Sequence, residues 1–248
     1  MCGRYVNVAS SDDLTDEFDV EETVGPPLPP SWNIAPTDPI PAVLVRTHAG
    51  AAAPVRQLRT VRWGLVPSWS KDRKGAARLI NARIETVTEK PAFKSAAARR
   101  RCLLPALGYY EWQAADGGKV PYFLHNADRR GLAMAGLYEL WPDPARPADD
   151  PGRWLWTATI ITQPATDLMG QIHDRTPVAV PEEMWAAWLD CRSDDPQTAR
   201  DLLDQMPALH LAPDVVSTAV GNVRNNGPEL IEPVTTSDAP IPQPLFPA

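Results

Sequence analysis

The chain has 248 residues, 44% of them apolar and 22% charged, proportions of a globular protein with a core of its own. No apolar run approaches the roughly 20 residues that span a bilayer, and the acidic stretch over residues 12–22 argues against a basic targeting leader. Three widely spaced cysteines (Cys2, Cys102, Cys191) and four scattered histidines form neither a disulfide framework nor a zinc pattern, so a reducing cytoplasm and no metal are expected.

In chain order, the first feature is Met1-Cys2-Gly3-Arg4-Tyr5. Loss of the initiator methionine would leave Cys2 with an α-amine and a thiol on adjacent carbons. Their unperturbed pKa values, about 8 and about 8.5, keep both partly nucleophilic near neutrality. The amine can form a Schiff base with an aldehyde, and the thiol can close on it to a thiazolidine. Alternatively, the thiol attacks a carbonyl with the amine as base, or the segment is simply a frayed end.

Asp12 to Phe18 then reads as a short helix capped by Ser11 or Asp12. Gly25 to Pro30 is a proline-rich loop leading to Trp32-Asn33-Ile34-Ala35-Pro36. Ile40 to Arg46 and Val55 to Trp63 alternate as strands, and Trp63 to Trp69 forms a turn-rich loop. Lys90 to Arg100 is alanine-rich and helical, and a strand begins at Cys102 to Leu104. Gly108 to Trp112 and Tyr122 to His125 flank a hairpin turn at Asp116-Gly117-Gly118. Leu132 to Leu137 and Trp154 to Thr162 are further strands across the loop Pro142 to Gly152, before helices at Pro181 to Leu189 and Pro196 to Gln205.

These elements predict an α+β fold, one domain over 2–233 built on antiparallel sheet with peripheral helices. A proline-rich segment, 234–248, follows, with Thr235 to Ala248 read as a mobile tail. The net charge of −7 is unevenly spread: residues 43–101 hold 14 Lys+Arg against 3 Asp+Glu, and the rest hold 10 against 28. That pattern fits an anion-binding face, unless folding scatters the charges over several sides.

Asn81, Glu111 and His173 are the polar residues that stand out within otherwise structural segments. Taken singly, Asn81 could satisfy a turn, Glu111 could face solvent and His173 could be a loop histidine. A carboxyl group between aromatics (Tyr109-Tyr110-Glu111-Trp112) is nonetheless placed for a pKa raised by desolvation, as acid–base work requires.

Six blocks occur in one order: Cys2-Gly3-Arg4-Tyr5, Trp63-Gly64-Leu65-Val66-Pro67, Asn81-Ala82-Arg83-Ile84-Glu85-Thr86, Arg100-Arg101-Cys102-Leu103-Leu104-Pro105, Tyr109-Tyr110-Glu111-Trp112 and His173-Asp174-Arg175-Thr176-Pro177. Together with Val220-Gly221-Asn222-Val223-Arg224, they make the chain resemble the SOS-response-associated peptidase (SRAP) family across Cys2 to about Pro233. The resemblance implies a barrel-like, mostly antiparallel core and a basic cleft for single-stranded DNA. It implies covalent capture of abasic sites through a thiazolidine, with lyase activity and autoproteolytic loss of Met1 as companions.

Carried over residue by residue, the catalytic set is Cys2, Asn81, Glu111 and His173. Glu111 would shuttle protons, His173 would assist opening of the sugar, and Asn81 would orient the amine or sugar. Arg4 and Arg83 would hold phosphates, Asn33 and Thr162 would make backbone contacts, and Trp69 would stack or wedge against a base. No cofactor and no metal is implied. The partner is single-stranded DNA with abasic sites, met by a monomer in the cytoplasm and at the nucleoid when bound. Two departures stand out: Thr176 where family members often have methionine, expected to alter packing only, and Ser70 after Trp69 where some have a second aromatic.

Two rivals compete. An N-terminal-nucleophile cysteine amidohydrolase or peptidase would release ammonia from glutamine or cleave proteins. A non-catalytic single-strand-binding module would bind intact and abasic strands alike and leave no covalent product.

Overall fold

The computed structural model of the chain describes residues 2–48, 50, 53–190 and 192–234. Met1, Cys191 and the segment read as a mobile tail, 235–248, lie outside the described residues. In chain order the elements are β1 (Tyr5–Asn7), α1 (Ser11–Glu17), β2 (Glu22–Val24), β3 (Ser31–Ile34), β4 (Pro39–Thr47), β5 (Pro54–Trp63), β6 (Asn81–Arg83), α2 (Lys94–Arg99) and β7 (Arg101–Ala106). They continue with β8 (Gly108–Ala115), β9 (Gly118–His125), β10 (Leu132–Pro142), β11 (Trp154–Pro164), α3 (Asp167–Ile172), β12 (Arg175–Pro177), α4 (Trp185–Leu189), α5 (Pro196–Leu203) and β13 (Ala212–Val215).

β11, β10, β7, β4 and β5 pair in turn, and β5 returns to β11, which closes a five-stranded barrel. The pairings around it are antiparallel except for the closure, where Arg62 and Trp63 lie parallel to Thr157 and Ala158. Strand alternation sends Ile40, Ala42, Leu44, Val61, Trp63, Met134, Tyr138, Ala158 and Ile160 into one apolar cluster inside. Gly136 leaves room there, since a Cβ would come within 2.8 Å of Leu104 and 2.9 Å of the Cys102 sulfur. The opposite alternates, Val43, Leu58, Leu103, Ala135 and Leu137, pack beneath Leu14, Phe18, Ala97, Trp188 and Leu203 of the helical layer.

A second sheet, ordered β13-β9-β8-β1-β3, carries the chain's start. Tyr5 lies between Ile34 and Tyr109 in this sheet, and its ring meets Trp63 of the barrel edge-on at 5.3 Å. Arg101 is fully buried and donates to the carbonyls of Ala97, Ala98, Trp188 and Asp190. One guanidinium thereby satisfies the carbonyl ends of both α2 and α4.

The α+β class, the barrel, the 108–125 hairpin and the long strands agree with the sequence reading. Several details differ. Ser10, rather than Ser11 or Asp12, caps α1: its Oγ accepts from Asp13 N at 3.1 Å, and the Asp13 carboxylate accepts from Ser10 N at 2.9 Å. The helix expected over Lys90 to Arg100 is regular only from Lys94 to Arg99. Short strands β1, β2, β3, β6, β12 and β13 and helix α3 arise where no element was expected, because three to six residues carry too little periodicity to read.

Candidate active site

The start of the chain is stitched between the two sheets. The Cys2 side chain is completely buried, and its carbonyl accepts a hydrogen bond from Asn81 Nδ2 at 2.8 Å. Asn81 sits on β6, which is held by parallel pairing to Ile160 of β11 and by Trp63 Nε1 donating to the Ile80 carbonyl at 3.0 Å. Asn81 therefore holds the chain's start, rather than closing a turn.

Glu111 comes from β8, where Tyr109, Glu111 and Gln113 share one face by strand alternation. That face meets the α3–β12 segment. The Tyr109 and Thr176 hydroxyls are hydrogen-bonded at 3.0 Å, and Gln113 Nε2 donates to the Gln171 carbonyl at 3.2 Å. His173, at the end of α3, is thereby brought with its Nε2 4.0 Å from Glu111. Arg175 fixes the turn beyond it through a two-pronged pair with Glu85 (2.5 and 3.0 Å) and a 2.6 Å bond to the Thr162 carbonyl. These contacts lower the Glu85 pKa, chiefly through the Arg175 hydrogen bond.

Burial sets the electrostatics. Glu111 is 3% exposed, not on the solvent side of its strand, and burial pushes its pKa up to about 7. The Cys2 thiol is pushed well above its ordinary value by burial first and by the charge of Glu111 second. That second cause couples the two groups electrostatically. His173 is shifted down, mainly by burial, which favours the neutral ring. His173 Nδ1 lies 3.0 Å from both the Arg175 backbone N–H and the Asp174 carboxylate, while Nε2 faces Glu111. Among the described residues, no group of His, Cys, Asp and Glu side chains could hold a metal ion.

The four residues expected to be catalytic thus converge from four places in the chain. The expected DNA contacts divide. Trp69 is 68% exposed, on a loop that starts at Gly64 (φ +116°) and is tied down by Trp141 Nε1 donating to the Ser70 carbonyl at 2.8 Å. Arg83 is exposed two residues after Asn81, on the same side of β6. Lys71, Arg73, Lys74 and Arg78 are exposed between the two.

Arg4, Asn33 and Thr162 are turned to internal work. Arg4 Nη1 donates to Asn33 Oδ1 at 2.7 Å and to the Val220 carbonyl at 2.9 Å. Asn33 Nδ2 in turn faces the carbonyls of Val220, Asn222 and Asn225 at 2.8–3.3 Å. Thr162 is 1% exposed, beside Arg83 and Pro177 in the sheet. Gln113, Arg175 and Glu85 position the site without having been given a role; Glu85 and Arg175 lie within the quoted motifs, and the Tyr109-x-Glu111-x-Gln113 alternation was the signal for Gln113. Thr176 does more than alter packing, since its hydroxyl bonds Tyr109.

Fold and site together define a barrel protein whose second residue, a buried cysteine, faces a carboxyl group of raised pKa. The model of the family described as SOS response associated peptidase (SRAP) matches residues 1–223, and the chain belongs to that family. It is 37% identical over 238 residues to the abasic site processing protein YoqW of Bacillus subtilis, covering 94% of this chain and 99% of that one. It is 35% identical over 230 residues to the abasic site processing protein HMCES of Gallus gallus, covering 83% of this chain and 66% of that one. An X-ray structure of a Bacteroides thetaiotaomicron protein shares the fold at a TM-score of 0.76 and 20% identity, covering 94% of this chain and 100% of that one.

Proposed function

We propose that this protein processes abasic sites in single-stranded DNA by trapping the ring-opened sugar on Cys2, acting as a monomer. The observation that carries the reading is the convergence of Cys2, Asn81, Glu111 and His173 at one enclosed point. The names of its relatives, abasic site processing proteins, supply the substrate class.

The chemistry begins once Met1 has been removed. The free amine of Cys2 adds to C1′ of the sugar aldehyde, and water leaves to give an imine. The thiol sulfur then bonds to the imine carbon while its proton passes to the nitrogen, closing a thiazolidine with no atom lost. Glu111, titrating near neutrality, can give a proton to the departing hydroxyl and take one from the amine. His173, shifted toward its neutral form, assists ring opening of the sugar. Asn81 fixes the Cys2 backbone, so the amine and sulfur keep one orientation toward the aldehyde. Trp69 and Arg83 meet the strand at the entrance.

Incubation with an abasic oligonucleotide, read by denaturing gel and intact mass, tests this. The expected product is a covalent adduct whose mass shows loss of Met1 and one water. Cys2→Ala removes the adduct, and Cys102→Ala leaves it. Capture by a protein that retains Met1, or by Cys2→Ala, overturns the reading.

A further inference from the structure

We propose that the cleft between β5 and β11 is a second contact surface for single-stranded DNA, holding the strand beyond the lesion. This rests on the abasic-site reading and adds residues outside the set implied by the family resemblance. β5 and β11 pair at only two positions, Arg62 beside Thr157 and Trp63 beside Ala158. Upstream of these pairs an open cleft of about 350 Å³ lies between them, bordered by Thr60, Val61, Arg62, Trp154 and Trp156.

Its walls combine cations with aromatic faces. Trp154 is 48% exposed and, with Trp69 and Val223, makes up the exposed large hydrophobics among the described residues. Arg62 supplies the cation in the lining, and two arginines that do not border the cleft back its tryptophans: the guanidinium of Arg153 lies 5.9 Å from the Trp154 ring, and that of Arg59 3.8 Å from Trp156. Among the described residues, Arg59, Arg62 and Arg153 form no salt bridge, and the Nε of each is buried without a hydrogen-bond partner. Burial, followed by repulsion from Arg46, lowers the Arg59 pKa. Arginines for phosphates beside a tryptophan open to stacking suit a single strand, whose unpaired bases expose their faces.

The cleft also adjoins the candidate site. Leu155 packs with Val66 and Trp141 under the Trp69 loop, and Val66 N donates to Thr157 Oγ1 at 3.0 Å. From Trp156, β11 runs four residues to Ile160, the partner of Asn81, a path of roughly 13 Å at the usual strand rise. Leu155 both lines the cleft and packs beneath the Trp69 loop, so a strand passing Trp69 can continue into the cleft.

The test compares a labelled, undamaged oligothymidylate of about 20 nucleotides with an abasic trinucleotide whose central lesion leaves one nucleotide on either side, short of the roughly 13 Å to Trp156. Trp154→Ala should weaken binding of the long strand about ten-fold, and Trp154→Phe should restore it. Arg62→Gln should reduce the salt dependence of that binding by about one phosphate contact. Crosslinking of the short abasic strand should stay at the wild-type rate in each variant. Unchanged long-strand affinity and salt slope in folded variants would overturn the inference, as would equal losses on both strands. If the wild type fails to crosslink the short abasic strand, the Cys2 reading fails, while the long-strand affinities still decide the cleft.

Discussion

Glu111 concentrates the trade between folding and chemistry. Its carboxyl titrates at about 7 in the fold against an ordinary 4.5. The folded chain therefore holds this proton more tightly than the unfolded chain. Its favourable contribution is complete below about pH 4.5 and is lost as pH rises to about 7. Glu111→Gln should consequently be more stable than wild type at pH 8 but not at pH 4, by up to about 3 kcal/mol, measured by denaturant melts at both values. The same variant should form the adduct at least ten-fold more slowly and lose the inflection near pH 7 in its rate profile. An unaltered profile would remove Glu111 from the proton path.

At the scale of elements, the site is held by contacts that join distant segments. Asn33 binds the segment after β13 to β3, so Asn33→Ala should lower stability by about 2 kcal/mol without any DNA present, readable as a lower melting temperature. A residue serving only a phosphate would leave the melting temperature where it was. The Tyr109–Thr176 hydroxyl pair should show coupling: Tyr109→Phe and Thr176→Val together should cost less than the sum of the singles, by about 1 kcal/mol. The long strands around the barrel were legible because alternation over eight or more residues leaves a period. β6 was not, since Asn81-Ala82-Arg83 is a strand only because Ile160, Ile161 and Thr162 lie alongside. The proposed catalytic set was marked in the sequence by family motifs rather than by periodicity. The inward turn of Arg4 and Asn33 was hidden because their partners lie up to 216 residues away.

Across the whole molecule, the basic stretch divides its charge between interior and surface. Arg56 and Arg100 serve Phe18 and Glu139, and Arg101 closes two helices, while Lys71, Arg73, Lys74, Arg78 and Arg83 stay exposed near the site. Affinity for short single strands confined to this face should fall with salt at a log–log slope of about −3 to −4, from five contacts rather than the full basic count, and somewhat more steeply for strands that reach Arg62, as a fluorescence titration from low to high salt would measure. A flat response would rule out this face as the DNA contact. The enclosure of the Cys2 sulfur bears on conditions under which DNA is damaged. Peroxide attacks thiolates that solvent can reach, and this sulfur is both shielded and kept protonated. On the proposed reading, the thiol is thus kept reduced and unspent until the sugar that the same oxidants help to create arrives.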